Sequence, residues 1–296
     1  MQVQLTAIGA LNAEGKATGT AERTATLYAR YQKEGGDTRH IDELTAEGLR
    51  KIADLQEKGC DLGYGFGTDY LEPLTVSTRL DSLYRHARRA LYTELDTAVV
   101  RECCPQRLNV ATNAADREDY LSHPASGELI NESGVNELVR LFTGRAAVPQ
   151  IQFVISDGLN ADAVNENLRS ILPRLRWSLQ EAGFQASTVD VVIRNGRVRA
   201  GYHVAQLLNP EVLIHLIGER PGTGFNQLSA YLTYGKDVAG NVHWSPEMDH
   251  SLTTAICSIH PRGKVAEVAI NDMVTCVRRM VERKCSGVAL GKEPSI

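Results

Sequence analysis

The chain has 296 residues, enough to bury a sizeable core as one large domain or as a domain with an extension, and its 43% hydrophobic and 23% charged content is ordinary for a globular protein. A formal net charge of −4, with both signs interspersed, argues against the broad basic face that nucleic-acid binding requires. No apolar run approaches the roughly 18 residues of a membrane span, and the first residues, MQVQLTAIGALNAEGK, lack a basic segment followed by an apolar one, so neither a membrane anchor nor a secretory signal is expected.

The first twenty or so residues are rich in Ala, Gly and Thr without periodicity and read as a loosely ordered arm. Thr24–Glu34 reads as a short helix closed by Gly35-Gly36-Asp37. Ile41–Lys58 reads as a helix with one apolar stripe, with Gly59 as its C-terminal cap. The three alternating glycines of LGYGFGTD, residues 62 to 69, read as a turn. No apolar strand precedes them and no Gly-Lys-Ser/Thr follows, so a turn or surface loop is favoured over a phosphate loop. Arg79–Val100 reads as one long helix, with Arg85, Arg88 and Arg89 on its polar side. Pro105–Ala125 reads as loop and linker and suggests a division at residue 118. Ser126–Phe142 reads as a helix.

After Pro149 the pattern changes. Apolar strands at Ile151–Ile155, Val189–Ile193 and Val212–Ile217 alternate with helices at Ala161–Ala182, where Pro173 should kink or cap, and Tyr202–Leu208. Ser229–Tyr234 reads as a further strand. Gly235–Met248 reads as a polar excursion with a hairpin around Ala239-Gly240-Asn241. Thr253–Ile259 reads as the last strand and Ala266–Lys284 as the last helix. This alternation predicts an α/β fold, a parallel sheet with helices on both faces, in residues 119 to 296, behind a mainly helical amino-terminal extension in residues 1 to 118.

Four of these strands, all but Ser229–Tyr234, pass into a polar, glycine-bearing turn: Ser156-Asp157-Gly158, Arg194-Asn195-Gly196-Arg197, Gly218-Glu219-Arg220-Pro221-Gly222 and His260-Pro261-Arg262-Gly263. In a parallel sheet these turns share one edge, where ligands bind. Glycines admit close backbone approach, the carboxylates of Asp157 and Glu219 accept from amide N–H₂ groups, and Arg194, Arg197, Arg220 and Arg262 suit a phosphate. The combination fits a large, mostly neutral ligand with many amides and one phosphate. Polar turns also end strands that bind nothing. A nucleophile elbow, a Walker loop and a dinucleotide fingerprint are all missing. The six cysteines form no Cys-x-x-Cys pair and the eight histidines show no ligand spacing, so reduced thiols and no metal site are expected.

The motifs VISDGLNADA, RNGRVR, LIGERPG, SIH and KCSG, in this order from Val154 onward, resemble the small (light) subunit of ethanolamine ammonia-lyase. The resemblance covers roughly the second half of the chain, fits Tyr120–Phe142 more weakly, and does not reach residues 1 to 118. It implies a Rossmann-like domain that covers part of an adenosylcobalamin at the interface with a large TIM-barrel subunit, within a hetero-oligomer converting ethanolamine to acetaldehyde and ammonia. The large subunit would hold the substrate, so no residue here is assigned a catalytic role. The absence of an Asp-x-His-x-x-Gly segment agrees with a cofactor that keeps its own base on cobalt. The resemblance carries cobalamin contacts to Val198, Glu219 and Ala255, where relatives have a cysteine at the last position. Cys257 would lie on the same strand face. Charge adds Arg194, Arg197 or Arg220 as candidate contacts to the nucleotide-loop phosphate. The Gly235–Trp244 segment is longer than in relatives and could alter the cofactor rim. The implied setting is the cytoplasm or a bacterial microcompartment. Two alternatives stay open: a non-catalytic assembly subunit that has lost the cofactor, and a nucleotide-binding α/β domain.

Overall fold

The computed structural model describes residues 73–144, 148–237 and 239–291, together with Glu47 and Arg50, which are helical. The expected arm, the expected helix at Thr24–Glu34, the 62–69 turn and the rest of the Ile41–Lys58 helix lie outside the described residues. The chain forms two units, Met1–Arg88 with Gly222–Gly224, and Arg89–Pro221 with Phe225–Ile296. In the first, besides Glu47 and Arg50, the described backbone is helix α1 (Pro73–Tyr92) as far as Arg88, together with the Gly222–Gly224 turn.

The second unit is built on a six-stranded sheet of order β1-β3-β2-β4-β5-β6. Its strands are β1 (Arg107–Ala111), β2 (Ile151–Ser156), β3 (Asp190–Arg194), β4 (Val212–Gly218), β5 (Leu228–Tyr234) and β6 (Thr253–Ile259). β2 and β4 are buried at every position, as mainly apolar strands at a sheet centre must be, and their polar exceptions Gln152, Ser156 and His215 are buried too. Alternation divides the core. Phe153, Ile155, Val212, Ile214 and Leu216 face α2 (Thr97–Cys103), α5 (Ala161–Glu181) and α7 (Ala266–Arg283). Val154, Val191, Ile193 and Leu213 face α4 (Glu132–Thr143) and α6 (Val198–Leu208). A six-residue helix α3 (Arg117–Ser122) and a short α8 (Val288–Gly291) complete the set among the described residues.

The architecture is α/β with helices on both faces, and it departs from the expected all-parallel sheet at one strand. β1, β3, β2 and β4 are parallel, but β5 is antiparallel to both β4 and β6. The physical reason is the link after β4, Glu219–Gln227, which holds no helix and is too short for a crossover.

Four further expectations are corrected. The stretch Pro105–Ala125, read as loop, contains β1 and α3. β1 is an edge strand with a single fully buried residue, Val110, so its apolar signal is weak, and the sheet begins before residue 118. The expected Arg79–Val100 helix is two helices, because Asp96 caps α2 by accepting from the Ala98 N–H at 2.7 Å. The expected Ser126–Phe142 helix starts at Glu132 behind the Asn131 cap, and a 3₁₀ turn, Pro124–Gly127, precedes it. The α5 helix runs unbroken through Pro173, whose ring lies on the exposed side, where water can satisfy the carbonyl one turn back.

Two strand-end glycines bring backbones together. Gly158 has φ 57°, and a Cβ there would meet Gly218; a Cβ on Gly218 would run into the Asn160 carbonyl. Gly218→Ala should therefore lower the melting temperature by about 5 °C or more. Gly291→Ala, whose Cβ meets nothing within 4 Å, should leave it unchanged. Equal melting temperatures for the two variants would contradict this close packing.

Candidate functional site

The carboxyl ends of β2, β3 and β4 meet where strand addition reverses, with β3 on one side of β2 and β4 on the other. Such points gather ligands. A buried carboxylate organises this edge. Asp157 Oδ2 accepts from the Asn195 N–H at 2.9 Å and its Oδ1 from the Gly196 N–H at 3.1 Å. Arg117 Nη1 donates to Asp157 Oδ2 at 3.3 Å and to Asn195 Oδ1 at 3.2 Å. Burial pushes the Asp157 carboxyl above its ordinary range, while Arg117 and backbone N–H groups pull it back. Asp157 is therefore an internal strut of the strand edge, with 4% exposure, and not a free ligand group.

The strut shapes the β3–α6 turn. Asn195 adopts φ 56°, a left-handed conformation that asparagine tolerates. Helix α6 then begins at Val198, four residues earlier than expected, so the Arg-Asn-Gly-Arg turn ends at Arg197, its N-cap residue. Beneath this first turn, Gly201 lies against His215, whose Nδ1 would be 2.5 Å from a Cβ. His215 Nε2 pairs with Ser156 Oγ at 2.8 Å. Burial drives the His215 imidazole down to about 3, against the Val198 carbonyl, which pulls it up. The ring is neutral.

Tyr120 is the residue that sequence reasoning missed. It is fully buried, donates its hydroxyl to the Gly196 carbonyl at 3.0 Å, and has two guanidinium groups over its ring, Arg197 at 4.3 Å and Arg117 at 4.7 Å. Arg197 Nη2 also donates to the Tyr120 carbonyl at 2.9 Å. No local motif marks Tyr120, because its role arises from turns distant in sequence.

Two hollows follow from this arrangement. One, of about 370 Å³, is lined by Gly158, Arg197, Val198, Glu219, Arg220 and Tyr231, with Cys257 and Ser229 among the remaining walls. The other, of about 460 Å³, is lined by Arg197, Val198, Arg199, Tyr231, His250 and Ala255. They share Arg197, Val198 and Tyr231, so they adjoin along the β5–β6 face, and together they make up the groove. Ala255 and Cys257 are exposed on that face, with Ile256 buried between them, and Ala255 pairs with Tyr231 across the strands. Burial, then Cys257 and Glu219, push the Tyr231 hydroxyl upward, so it stays a protonated donor.

The structure thus brings Arg197, Val198, Glu219, Arg220 and Ala255 together. It separates Arg194, which lines a different hollow of about 470 Å³ beside β1 and α2, and Arg262, which lies 4.5 Å over the Phe225 ring. The long excursion forms the expected hairpin, with Lys236 bridged to Val242, and Trp244 Nε1 donates to the Pro210 carbonyl at the amino end of β4. Its later part reaches Arg199, whose Nη1 donates to the Pro246 carbonyl at 2.7 Å, and the 3₁₀ turn that follows (His250–Leu252) brings His250 to a wall of the groove.

Residues 68–291 match the model of the ethanolamine ammonia-lyase light chain family (EutC). The chain belongs to this family. The match begins well before residue 118, so the family resemblance extends through α1, α2 and β1, beyond the second half that the motifs alone marked. As a light chain, it is one part of a two-subunit ammonia-lyase and has a larger partner subunit. Among the described residues, no helix is long and apolar enough to cross a membrane.

The buried, neutral His215 gives a pH test of the fold beneath this light chain's groove. Its folded pKa lies below the ordinary value of about 6.5. Its contribution to stability is therefore fully present above about pH 6.5 and is lost as pH falls toward 3. Urea unfolding between pH 7 and 4 should show a steeper loss in the wild type than in His215→Gln, by up to about 1.4 kcal/mol per pH unit. Parallel curves would show that the imidazole is not held neutral.

Proposed function

We propose that this light chain serves an adenosylcobalamin-dependent ethanolamine ammonia-lyase, which converts ethanolamine to acetaldehyde and ammonia, and that its groove holds one side of the cobalamin against the large subunit. The observation that carries the proposal is the convergence of Arg197, Val198, Glu219, Arg220 and Ala255 around Tyr231 at one strand edge. The groove is open, as a surface shared with a second subunit should be.

The donor set suits the cofactor. Glu219 Oε1 already accepts two internal hydrogen bonds, which leaves Oε2 to accept from a corrin amide. At the start of α6 the Val198 and Arg199 N–H groups have no helical acceptor, whereas the Ala200 N–H already donates to the Arg197 carbonyl at 3.0 Å. Arg197 has Nη2 committed to Tyr120 and its Nε buried without a partner, so Nη1 and the exposed Arg220 are the groups left for the nucleotide-loop phosphate. Arg194, in the separate hollow, is not part of this set.

When bound, adenosylcobalamin supplies a radical by homolysis of its cobalt–carbon bond. What this chain contributes is binding, orientation and the exclusion of water from one side of the cofactor. Substrate binding belongs to the large subunit. The complex would work in the cytoplasm, or within a protein-shelled microcompartment where the host builds one.

A second reading is an assembly subunit that has lost the cofactor, favoured by Ala255 at a position where relatives have cysteine. Cobalamin titration of the two-subunit complex separates the two. On the proposed reading the complex binds cobalamin, and Glu219→Gln weakens binding about tenfold with the melting temperature preserved. Binding by the wild type with equal affinity in Glu219→Gln would remove Glu219 from the contact set. A wild-type complex with no cobalamin affinity would leave the assembly reading standing.

A further inference from the structure

We infer that Ser229 is a positioning residue for the Glu219 carboxylate, aiming its free oxygen into the groove; the inference rests on the cofactor reading above. Ser229 lies on β5, opposite Ile217 of β4, and is 1% exposed. Its hydroxyl donates to Glu219 Oε1 at 2.6 Å. The Ser258 N–H donates to the same oxygen, also at 2.6 Å. Both are short, charge-assisted hydrogen bonds.

Their placement on a single oxygen is informative. A carboxylate bonded through Oε1 to two fixed donors loses most of its freedom to rotate, and Oε2 has no hydrogen bond among the described residues. Glu219 lines the hollow formed with Gly218, Arg220, Tyr231 and Cys257, so Oε2 is the acceptor offered there.

The second donor is presented by an unusual backbone. Ser258 has φ 58°, a left-handed value that a serine adopts at some cost, and it lies where the β5–β6 register shifts between Leu228 and Ala230. The Ser258 carbonyl accepts from the Lys264 N–H at 2.8 Å, which pins the following turn. A Cβ on Gly263 would meet that carbonyl, so the turn needs its glycine. The SIH and GERPG segments, 39 residues apart between Ser258 and Glu219, are thereby joined at one carboxylate oxygen. Of the two donors, only that of Ser229 is a side chain and can be removed without rebuilding the backbone.

The test uses the full chain in complex with its large subunit and reads adenosylcobalamin affinity and melting temperature separately. Ser229→Ala should raise the Kd about five- to tenfold. In a Glu219→Ala background the same change should add little, because Ser229 acts through Glu219. Leu138→Ala, a buried change on α4 at a residue that lines neither hollow, should lower the melting temperature without changing the Kd. An unchanged Kd in Ser229→Ala, or an equal effect with and without Glu219, overturns the positioning role alone. A Kd that rises in Leu138→Ala in proportion to lost stability also overturns it, by assigning the effect to folding. A wild-type complex that binds no cobalamin overturns the cofactor reading and this inference with it.

Discussion

Asp157 is the constraint on which the strand edge depends. Its carboxylate, at the end of β2, takes the backbone N–H groups of Asn195 and Gly196 at the end of β3, and Arg117 closes the set from α3. Without those acceptors, two buried backbone donors would lose their partners together, each at a cost of about 1–3 kcal/mol, and the largely buried Arg117 guanidinium would lose its carboxylate. The positive φ of Asn195, the start of α6 at Val198 and the position of Arg197 over Tyr120 all follow from how this turn is held. On the other side of β2, the contact of Gly158 with Gly218 sets how closely β4 approaches, and so where Glu219 emerges.

The groove occupies the part of the sheet that the helices leave bare. α4 and α6 cover one face of β1, β3, β2 and β4, while β5 and β6 extend beyond them with Tyr231, Ala255 and Cys257 on the surface. The antiparallel β5 makes this shelf possible. A crossover helix between β4 and β5 would have brought a further element against the sheet. On the proposed reading, this shelf is the surface that the light chain offers to the cofactor and the large subunit.

Much of this was legible in the sequence, for physical reasons that also explain the omissions. β2 and β4 were plain because central strands are apolar on both faces. Edge strand β1, RLNVA, buries one face only partly and looks like loop among its polar neighbours. The helix through Arg79–Val100 kept its period across a break that only the Asp96 cap reveals. Among site residues, Val198, Glu219 and Arg220 stand in recognisable strand-end turns. Arg194 and Arg197 look equivalent in sequence, yet the left-handed Asn195 between them sends them to different hollows. Tyr120 and Ser229 carried no signal, and Ser258 stood in the SIH motif without its role being visible, because each acquires that role only when turns distant in sequence meet.

The most direct measurement of the central claim is acetaldehyde release from ethanolamine and adenosylcobalamin by the large subunit from the same source, with and without this chain. The account predicts that release requires both chains. Equal release by the large subunit alone would contradict it, because a groove that completes the cofactor site cannot be dispensable.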